Sequence, residues 1–202
     1  MNPKGLRKSR KIPEVLTPEE QATLLGELEA ATPAGARNNC LVRLMLDAGL
    51  RSAEVLALRH RDIDFKSGQL MVRNGKGGKD RSLWLGPDLV ALLRTFVETQ
   101  GKVRPGDLLF TTKTGRPLLT RYLRSMVGEL AKKAGIEKHI HPHTLRHSFA
   151  TDLLRQSRNL MIVSKALGHA NLATTQIYLH ICDPEMEEAM KGLRKNGGHD
   201  DI

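Results

Sequence analysis

The chain is organised around two neighbouring stretches, HPHTLRHSFAT at residues 141–151 and LGHANLATTQIY at residues 167–178. In the first, His143 and Arg146 are three residues apart, so on a helix their side chains lie on one face. The apolar stripe predicted for the opposite face consists of Leu145, Phe149 and Leu153. The polar pair therefore has a face of its own and can converge on one ligand.

The residue types in these stretches suit phosphate chemistry. The guanidinium fork of Arg146 matches phosphate oxygens and stays charged at any working pH. His143 and His169 can donate hydrogen bonds to the same oxygens. Tyr178 follows His169 by nine residues, and a phenol with a pKa of about 10 needs a neighbouring cation or base before it attacks. The set favours attack by a tyrosine on a phosphodiester.

Two other interpretations of these stretches remain open. His139, His141, His143 and His147 could bind a metal, although no carboxylate or cysteine stands at ligand spacing among them. Tyr178 could simply pack in the core. It is one of only two tyrosines, and its place nine residues after the Leu-Gly-His motif favours a chemical role.

The composition predicts a polyanionic partner. The chain has 202 residues, 40% of them hydrophobic, with 32 lysines and arginines against 22 acidic residues and a net charge of +10. This excess favours nucleic acid over a membrane, because no basic amphipathic helix with aromatic anchors is present. The two cysteines form no disulfide framework, and no signal, transit or membrane-spanning pattern is found. We therefore expect a cytoplasmic protein.

Hydrophobic periodicity predicts a mixed α/β, mainly helical fold with one small antiparallel β-sheet. The sequence Thr17-Pro18-Glu19-Glu20 is a strong helix start, whereas residues 32–35 are predicted to form a loop. A short strand-like segment is expected at residues 108–111. The predicted helices cover residues 17–31, 37–48, 50–58, 86–100, 119–134 and 184–194, and the predicted hairpin strands cover residues 69–73 and 81–85.

Further cations lie upstream of the two central stretches. Arg51 and Glu54 stand three apart at the start of a predicted helix, and taken alone they would be an ordinary surface ion pair. The glycine-rich connection at residues 74–80 carries Lys76 and Lys79, but its spacing is not that of a P-loop. Lys76 on such a hairpin tip could donate a proton, although a solvated basic loop is the simpler interpretation in isolation.

Taken together, four motifs carry a family resemblance. They are Gly49-Leu50-Arg51-x-x-Glu54, Gly75-Lys76-Gly77-x-Lys79-x-Arg81, His143-x-Leu145-Arg146-His147, and Leu167-Gly168-His169 followed by Tyr178. In this order and at these separations the chain resembles the catalytic domain of tyrosine recombinases, the phage-integrase family with its Xer-like members. The resemblance covers about residues 16–180, and four motifs in register make it specific where each alone is weak.

The resemblance implies a role for each site residue. Arg51 and Arg146 correspond to the two arginines that clamp the scissile phosphate. His143 corresponds to the histidine beside the second arginine, which assists proton transfer and binds phosphate. His169 corresponds to a His or Trp that hydrogen-bonds the phosphate. Lys76 matches the hairpin lysine that acts as general acid for the 5′-hydroxyl leaving group, Tyr178 the nucleophile, and Glu54 a supporting acidic residue. No cofactor and no metal are implied.

The implied activity is site-specific DNA recombination of the integrase or invertase type through a 3′-phosphotyrosyl intermediate, without ATP. Two alternatives stay open: a type IB topoisomerase-like enzyme that relaxes DNA, and a DNA-binding integrase relic that no longer cuts. The implied partner is double-stranded DNA, bound by a homo-tetramer on paired sites and a monomer in solution, and accessory DNA-bending proteins are left open. The implied location is cytoplasmic, at the nucleoid.

The expected organisation has three parts. Residues 1–12 form a basic arm, residues 13–182 the catalytic domain, and residues 183–202 a C-terminal helix and tail. Since only about fifteen residues precede the catalytic domain, the chain resembles compact members of the family that lack the N-terminal core-binding domain.

Overall fold

The computed structural model describes residues 13–29, 31–73, 80–169, 171–182 and 190–191. It confirms a mainly helical chain with one small antiparallel sheet. The helices are α1 Pro18–Gly26, α2 Pro33–Asp47, α3 Ser52–Ala57, α4 Pro87–Glu98, α5 Thr120–Lys133, α6 Pro142–Ser157 and α7 Leu160–Leu167, with short 3₁₀ segments at His60–Asp62, Leu172–Thr174 and Gln176–Cys182.

Helix starts follow the sequence, although one prediction was wrong. The predicted start of α1 is confirmed: Thr17 and Glu20 form a reciprocal capping box, with Pro18 in the first turn. The same Thr-Pro signature caps α2, whose Thr32 side chain accepts a hydrogen bond from the Gly35 amide. Residues 32–35 are therefore the start of α2, and the prediction of a loop there was wrong.

The central helix of the fold is α2, which packs against both α4 and α6. Its buried residues occupy almost every position of its second half, so it is covered on several sides rather than along one stripe. They are Cys40, Leu41, Val42, Leu44, Met45 and Leu46, and Arg37 is buried in the first half. This central position fixes α6, and with it the motif at residues 141–151, against the start of α3.

The sheet is a three-stranded antiparallel ribbon. The predicted hairpin is confirmed as β2, Gln69–Val72, paired with β3, Arg81–Trp84, with Leu70 opposite Leu83. A third strand, β1, consists of only Ile63–Asp64 and lies at one edge. The expected strand at residues 108–111 was wrong. Only isolated bridges occur there, from Arg59 to Leu108 and from Thr111 to Pro117.

A second, smaller core lies between α6, α7 and the segment that follows them. It consists of Ala150, Leu154, Val163, Leu167 and Tyr178. The predicted helix at residues 184–194 lies outside the described residues apart from Met190 and Lys191, which are helical. Among the described helices, none combines the length and the apolar character needed to cross a bilayer.

Candidate active site

Glu54 is the centre of the candidate site, and three arginines approach its carboxylate. Arg51, at the N-terminal end of α3, donates to it through the backbone amide and the guanidinium, each at 2.8 Å. Arg81 on β3 adds a two-pronged contact at 2.8 and 2.9 Å. Arg146 on α6 lies 3.7 Å away. Three elements distant in sequence therefore meet at one buried carboxylate.

The charges at this cluster do not balance. Three guanidinium groups face one carboxylate, which leaves two positive charges in excess. Burial raises the pKa of Glu54, but hydrogen bonds and charge from Arg81 and Arg51 outweigh it and hold that pKa at about 2. The carboxylate is thus ionised at neutral pH, and the remaining positive charge suits an anion such as a phosphodiester.

Arg146 ties together two chain segments that flank the site. Its guanidinium donates to the Gly49 carbonyl just before α3 and to the Leu167 carbonyl at the end of α7, the latter at 2.7 Å. Burial, with the charges of Arg51 and Arg81, lowers the pKa of Arg146 to about 9. It still carries its charge at neutral pH. An arginine suits this position because its planar guanidinium group donates hydrogen bonds in two directions, towards the Gly49 and Leu167 carbonyls.

Two glycines allow these close approaches. Gly49 has φ +64°, and a Cβ there would lie 2.2 Å from the Phe149 ring of α6. Gly168, which ends α7 with φ +61°, has Arg81 where a Cβ would lie, at 3.0 Å. Glycine is favoured at both positions, by the left-handed backbone and by the lack of space.

His143 and Arg51 line the same cavity of about 500 Å³, together with Arg124, His139 and His141. His143 is exposed in the first turn of α6. Burial of part of the ring, and then the charges of His141, Arg146, Arg51 and Arg124, lower its pKa below the ordinary value of 6.5. His143 is therefore largely neutral at pH 7, and a bound phosphate would raise its pKa by offsetting these cations.

Tyr178 and His169 come from the segment after α7. Tyr178 is 2% exposed in the second core, as the packing interpretation expected, but its hydroxyl is hydrogen-bonded to Nδ1 of His147 at 2.5 Å. Burial raises the pKa of Tyr178 to about 12, although the charge of Arg146 acts in the opposite direction. His169 is half-buried, and its Nδ1 lies 2.9 Å from the Thr175 hydroxyl.

The structure brings most of the predicted site residues into one region. Arg51, Glu54 and Arg146 touch directly, and His143 shares a cavity with Arg51. The charge of Arg146 acts on Tyr178. Lys76 lies outside the described residues. The Arg-Glu pair at α3 is buried in a network, so its interpretation as an ordinary surface pair was wrong.

Sequence reasoning assigned no role to two residues that contact the site. Arg81 was part of a quoted motif, and its position in β3 gave no sign that it reaches Glu54 across the fold. His147 was considered only as a metal ligand. Its spacing of four from His143 places it on the same helical face, which was the available signal.

His141 contacts two other histidines edge to face, with ring centroids 5.8 Å apart for His139 and 6.1 Å apart for His143. Over the described parts of the chain, no group of three or more His, Cys, Asp or Glu side chains is placed to hold a metal ion. The arginine cluster, in contrast, has the charge and geometry for phosphate.

Comparison with known sequences agrees with these observations. The model of the phage integrase family matches residues 14–185, and the chain belongs to this family. The tyrosine recombinase XerC of Xanthomonas campestris pv. campestris is 40% identical over 172 residues, which are 85% of this chain and 52% of that protein. A tyrosine recombinase of Thermosipho africanus is 37% identical over 91% of this chain and 63% of its own length. The chain thus spans about half to three fifths of these relatives.

Solved structures show the same fold. XerH recombinase in a post-cleavage complex with a palindromic difH substrate superposes with a TM-score of 0.78 at 33% identity, over 91% of this chain and 55% of that one. XerA recombinase gives 0.77 at 32% identity, over 92% and 67%. The catalytic domain of bacteriophage HP1 integrase, at 22% identity, gives 0.64 over 93% and 99%, which supports the fold alone.

Proposed function

We propose that this chain is the catalytic domain of a site-specific DNA recombinase that cuts and rejoins DNA through a 3′-phosphotyrosyl intermediate. The observation that carries the proposal is the convergence of Arg51, Arg81 and Arg146 on Glu54, with the Tyr178 hydroxyl hydrogen-bonded to His147, the residue after Arg146. Relatives named tyrosine recombinases support it, and so does the similar XerH site-specific recombinase, which was solved in a post-cleavage complex with a difH substrate. Such an enzyme acts where the DNA is, in the cytoplasm at the nucleoid.

The arrangement would serve phosphoryl transfer by positioning and charge. Arg51 and Arg146 would hold the non-bridging oxygens of the scissile phosphate, with His143 donating a further hydrogen bond. Negative charge grows on those oxygens as a fifth oxygen approaches phosphorus, and the two excess positive charges at Glu54 would stabilise it. Arg81 would act indirectly, because it fixes the Glu54 carboxylate that orients the other two arginines.

The bonds and protons of the proposed cleavage step balance. The Tyr178 oxygen forms a bond to phosphorus and the bond from phosphorus to the 5′-oxygen breaks. The phenol releases its proton to solvent water, and the leaving oxygen gains a proton from Lys76, the proposed donor. His169 is proposed to hold a phosphate oxygen through its second ring nitrogen, while Nδ1 faces Thr175. Attack by another 5′-hydroxyl reverses the step and joins new partners.

A plasmid carrying two copies of a site tests this function against its alternatives. The site is first selected from a randomised pool of nicked duplexes by covalent capture on the protein. A recombinase exchanges the segments between the sites, a topoisomerase only relaxes the supercoils, and a relic does neither. We expect exchange, and relaxation without exchange would assign the chain to the topoisomerase alternative.

Assembly is proposed to involve the segment at residues 184–193, which carries Met186, Met190 and Leu193 at helical spacing. We propose that four copies assemble on paired sites, with this segment of one copy on its neighbour, and that the free protein is a monomer. A groove of about 520 Å³, lined by Leu46, Phe149 and Ile162 with the 71% exposed Trp84 at its side, is the proposed acceptor.

Truncation after Cys182 tests this assembly. It should abolish synapsis of two sites and leave binding to one site intact. Full recombination by the truncated protein would contradict the assignment.

A further inference from the structure

We infer that His147 is a positioning residue for the nucleophile: it accepts the hydrogen bond of the Tyr178 hydroxyl and holds it beside the second clamp arginine. No role was assigned to His147 by the resemblance or by the proposed mechanism. The inference deepens the proposed function and rests on it for the cleavage assay described below.

The geometry of the pair is the first support. The Tyr178 hydroxyl lies 2.5 Å from His147 Nδ1, and the ring centroids are 5.8 Å apart. The tyrosine ring is clamped in the second core among Ala150, Leu154, Val163 and Leu167. A ring buried in this way has little freedom to turn, and its hydroxyl would be costly to leave without a partner. His147 supplies that partner.

The direction of the hydrogen bond follows from the protonation of both groups. Burial raises the pKa of Tyr178, so the phenol keeps its proton. Burial, followed by the charges of His143, Arg146 and His141, lowers the pKa of His147 to about 4, so the ring is neutral. The phenol therefore donates and Nδ1 accepts, which requires the tautomer protonated at Nε2.

The position of His147 on α6 explains why this contact matters for chemistry. It directly follows Arg146 and stands one helical turn from His143, on the same face. A hydroxyl held at His147 is consequently held beside the proposed phosphate clamp, where the charge of Arg146 already acts on it. A displacement of the nucleophile by about 1 Å can cost about 100-fold in rate. Loss of the contact with His147 should therefore slow the attack by Tyr178.

The free protein provides a first test without DNA. Nitrogen NMR of isotope-labelled histidine should show His147 Nδ1 unprotonated, and Tyr178→Phe should shift that resonance while leaving His60 unchanged. The His147 signal is assigned by its loss in His147→Asn. A protonated Nδ1, or a resonance that does not respond to Tyr178→Phe, would overturn the hydrogen bond whatever the enzyme does.

Cleavage provides the second test, with two variants that differ in one property. Asparagine places an acceptor near the Nδ1 position but is not basic, whereas leucine offers no acceptor. In single-turnover cleavage of the captured nicked duplex, His147→Leu should be slower by about 100-fold. His147→Asn should recover most of the rate. Affinity for uncleaved DNA should stay close to that of the wild type in both variants. The urea midpoint should fall modestly in His147→Leu, which leaves the buried hydroxyl without an acceptor, and less in His147→Asn.

Each other outcome contradicts the inference in a different way. Wild-type or faster cleavage by His147→Leu would show that the contact is dispensable or restrains the tyrosine. Equal loss in both variants would show that the basicity of the ring, not its hold on the hydroxyl, is required. If the wild type itself forms no adduct, the proposed function fails together with the positioning role, and the NMR result stands as a structural fact.

Discussion

At the residue scale, Glu54 determines how the arginines are arranged. A carboxylate buried among three guanidinium groups is ionised, paired and hydrogen-bonded, so removing its charge leaves the buried arginines without a counter-charge. We expect Glu54→Gln to lower the free energy of unfolding by about 3–5 kcal/mol, measured by urea titration. Cleavage should fall as well, because Arg51 and Arg146 lose the group that orients them.

Asp62 supplies the matched control. It is also buried, but within the described part of the chain it is paired with one cation, Arg73, whose side chain is 45% exposed. Asp62→Asn should therefore cost less than half as much, since the cation it leaves behind is solvated. Equal losses of unfolding free energy in Glu54→Gln and Asp62→Asn would show that the three arginines around Glu54 contribute no more stability than one exposed ion pair.

Glu54 also predicts a dependence of stability on pH. Its folded pKa of about 2 lies below the ordinary 4.5, so its stabilisation is fully present above pH 4.5 and is lost as the pH falls towards 2. Wild-type stability should decline over that window. The decline should be shallower in Glu54→Gln, and parallel curves would contradict the assignment.

Lys76 carries the other residue-scale prediction. If it protonates the leaving 5′-oxygen, Lys76→Ala should still bind DNA but cleave about 10²–10⁴ times more slowly. A 5′-bridging phosphorothiolate needs little protonation to leave, so it should restore much of the rate. Lys79→Ala is the control in the same connection. Rescue of Lys79→Ala rather than Lys76→Ala would move the role to Lys79.

At the element scale, the site depends on the contact between the start of α3 and α6. Gly49→Ala should destabilise the fold in two ways, through the left-handed backbone and through the clash with Phe149. Gly101 has a similar φ of +71° with nothing within 4 Å of a Cβ, so Gly101→Ala isolates the backbone cost of about 1–2 kcal/mol. We expect Gly49→Ala to cost about 1–3 kcal/mol more. Equal urea midpoints for Gly49→Ala and Gly101→Ala would show that α6 moves away from residue 49 at little cost in stability.

Local signals predicted the elements better than their ends. The capping box at Thr17 was sufficient to place the start of α1. The equivalent Thr32-Pro33 pair was predicted to lie in a loop, because Gly35 two residues later is an unfavourable helix residue that the structure nevertheless accommodates. The strand β1 has only two residues, too few to show alternation. Its existence depends on pairing with β2, which is a tertiary property.

The candidate site was predicted as a set of residues but not as a network. Spacing placed His143 and Arg146 on one face, and the family motifs supplied the remainder. Spacing could not show that Arg81 reaches Glu54, since the two are 27 positions apart and meet only when β3 packs near α3. The contact between His147 and Tyr178 likewise depends on the fold of the segment after α7.

At the scale of the whole molecule, we expect charge to govern the proposed encounter with DNA. The proposed basic arm, residues 1–12, lies outside the described residues. It carries five cations and no acidic residue, so its charge of +5 is half of the net charge of +10. The cations are Lys4, Arg7, Lys8, Arg10 and Lys11. Removing residues 1–11 should flatten the salt dependence of DNA binding, by about 0.9 in slope for each phosphate that the arm neutralises.

Replacement of the five cations by glutamine separates charge from length in this arm. It should reproduce the change in slope, while the cleavage rate of bound DNA stays near that of the intact chain. An unchanged slope in both proteins would show that the arm does not contact DNA.

The central claim is that Tyr178 becomes covalently joined to the 3′-phosphate of a cut strand. Tyr122, the other tyrosine, is the natural control, because its hydroxyl is bound by Arg37 at 2.7 Å and Asn38 at 2.8 Å, on α2. The most direct measurement is mass spectrometry of peptides from the adduct with a nicked duplex. We predict a 3′-phosphonucleotide on Tyr178 and a free 5′-hydroxyl, formed by Tyr122→Phe and absent in Tyr178→Phe. An adduct on Tyr122, a 5′-phosphotyrosine, or an adduct that persists in Tyr178→Phe would contradict the account.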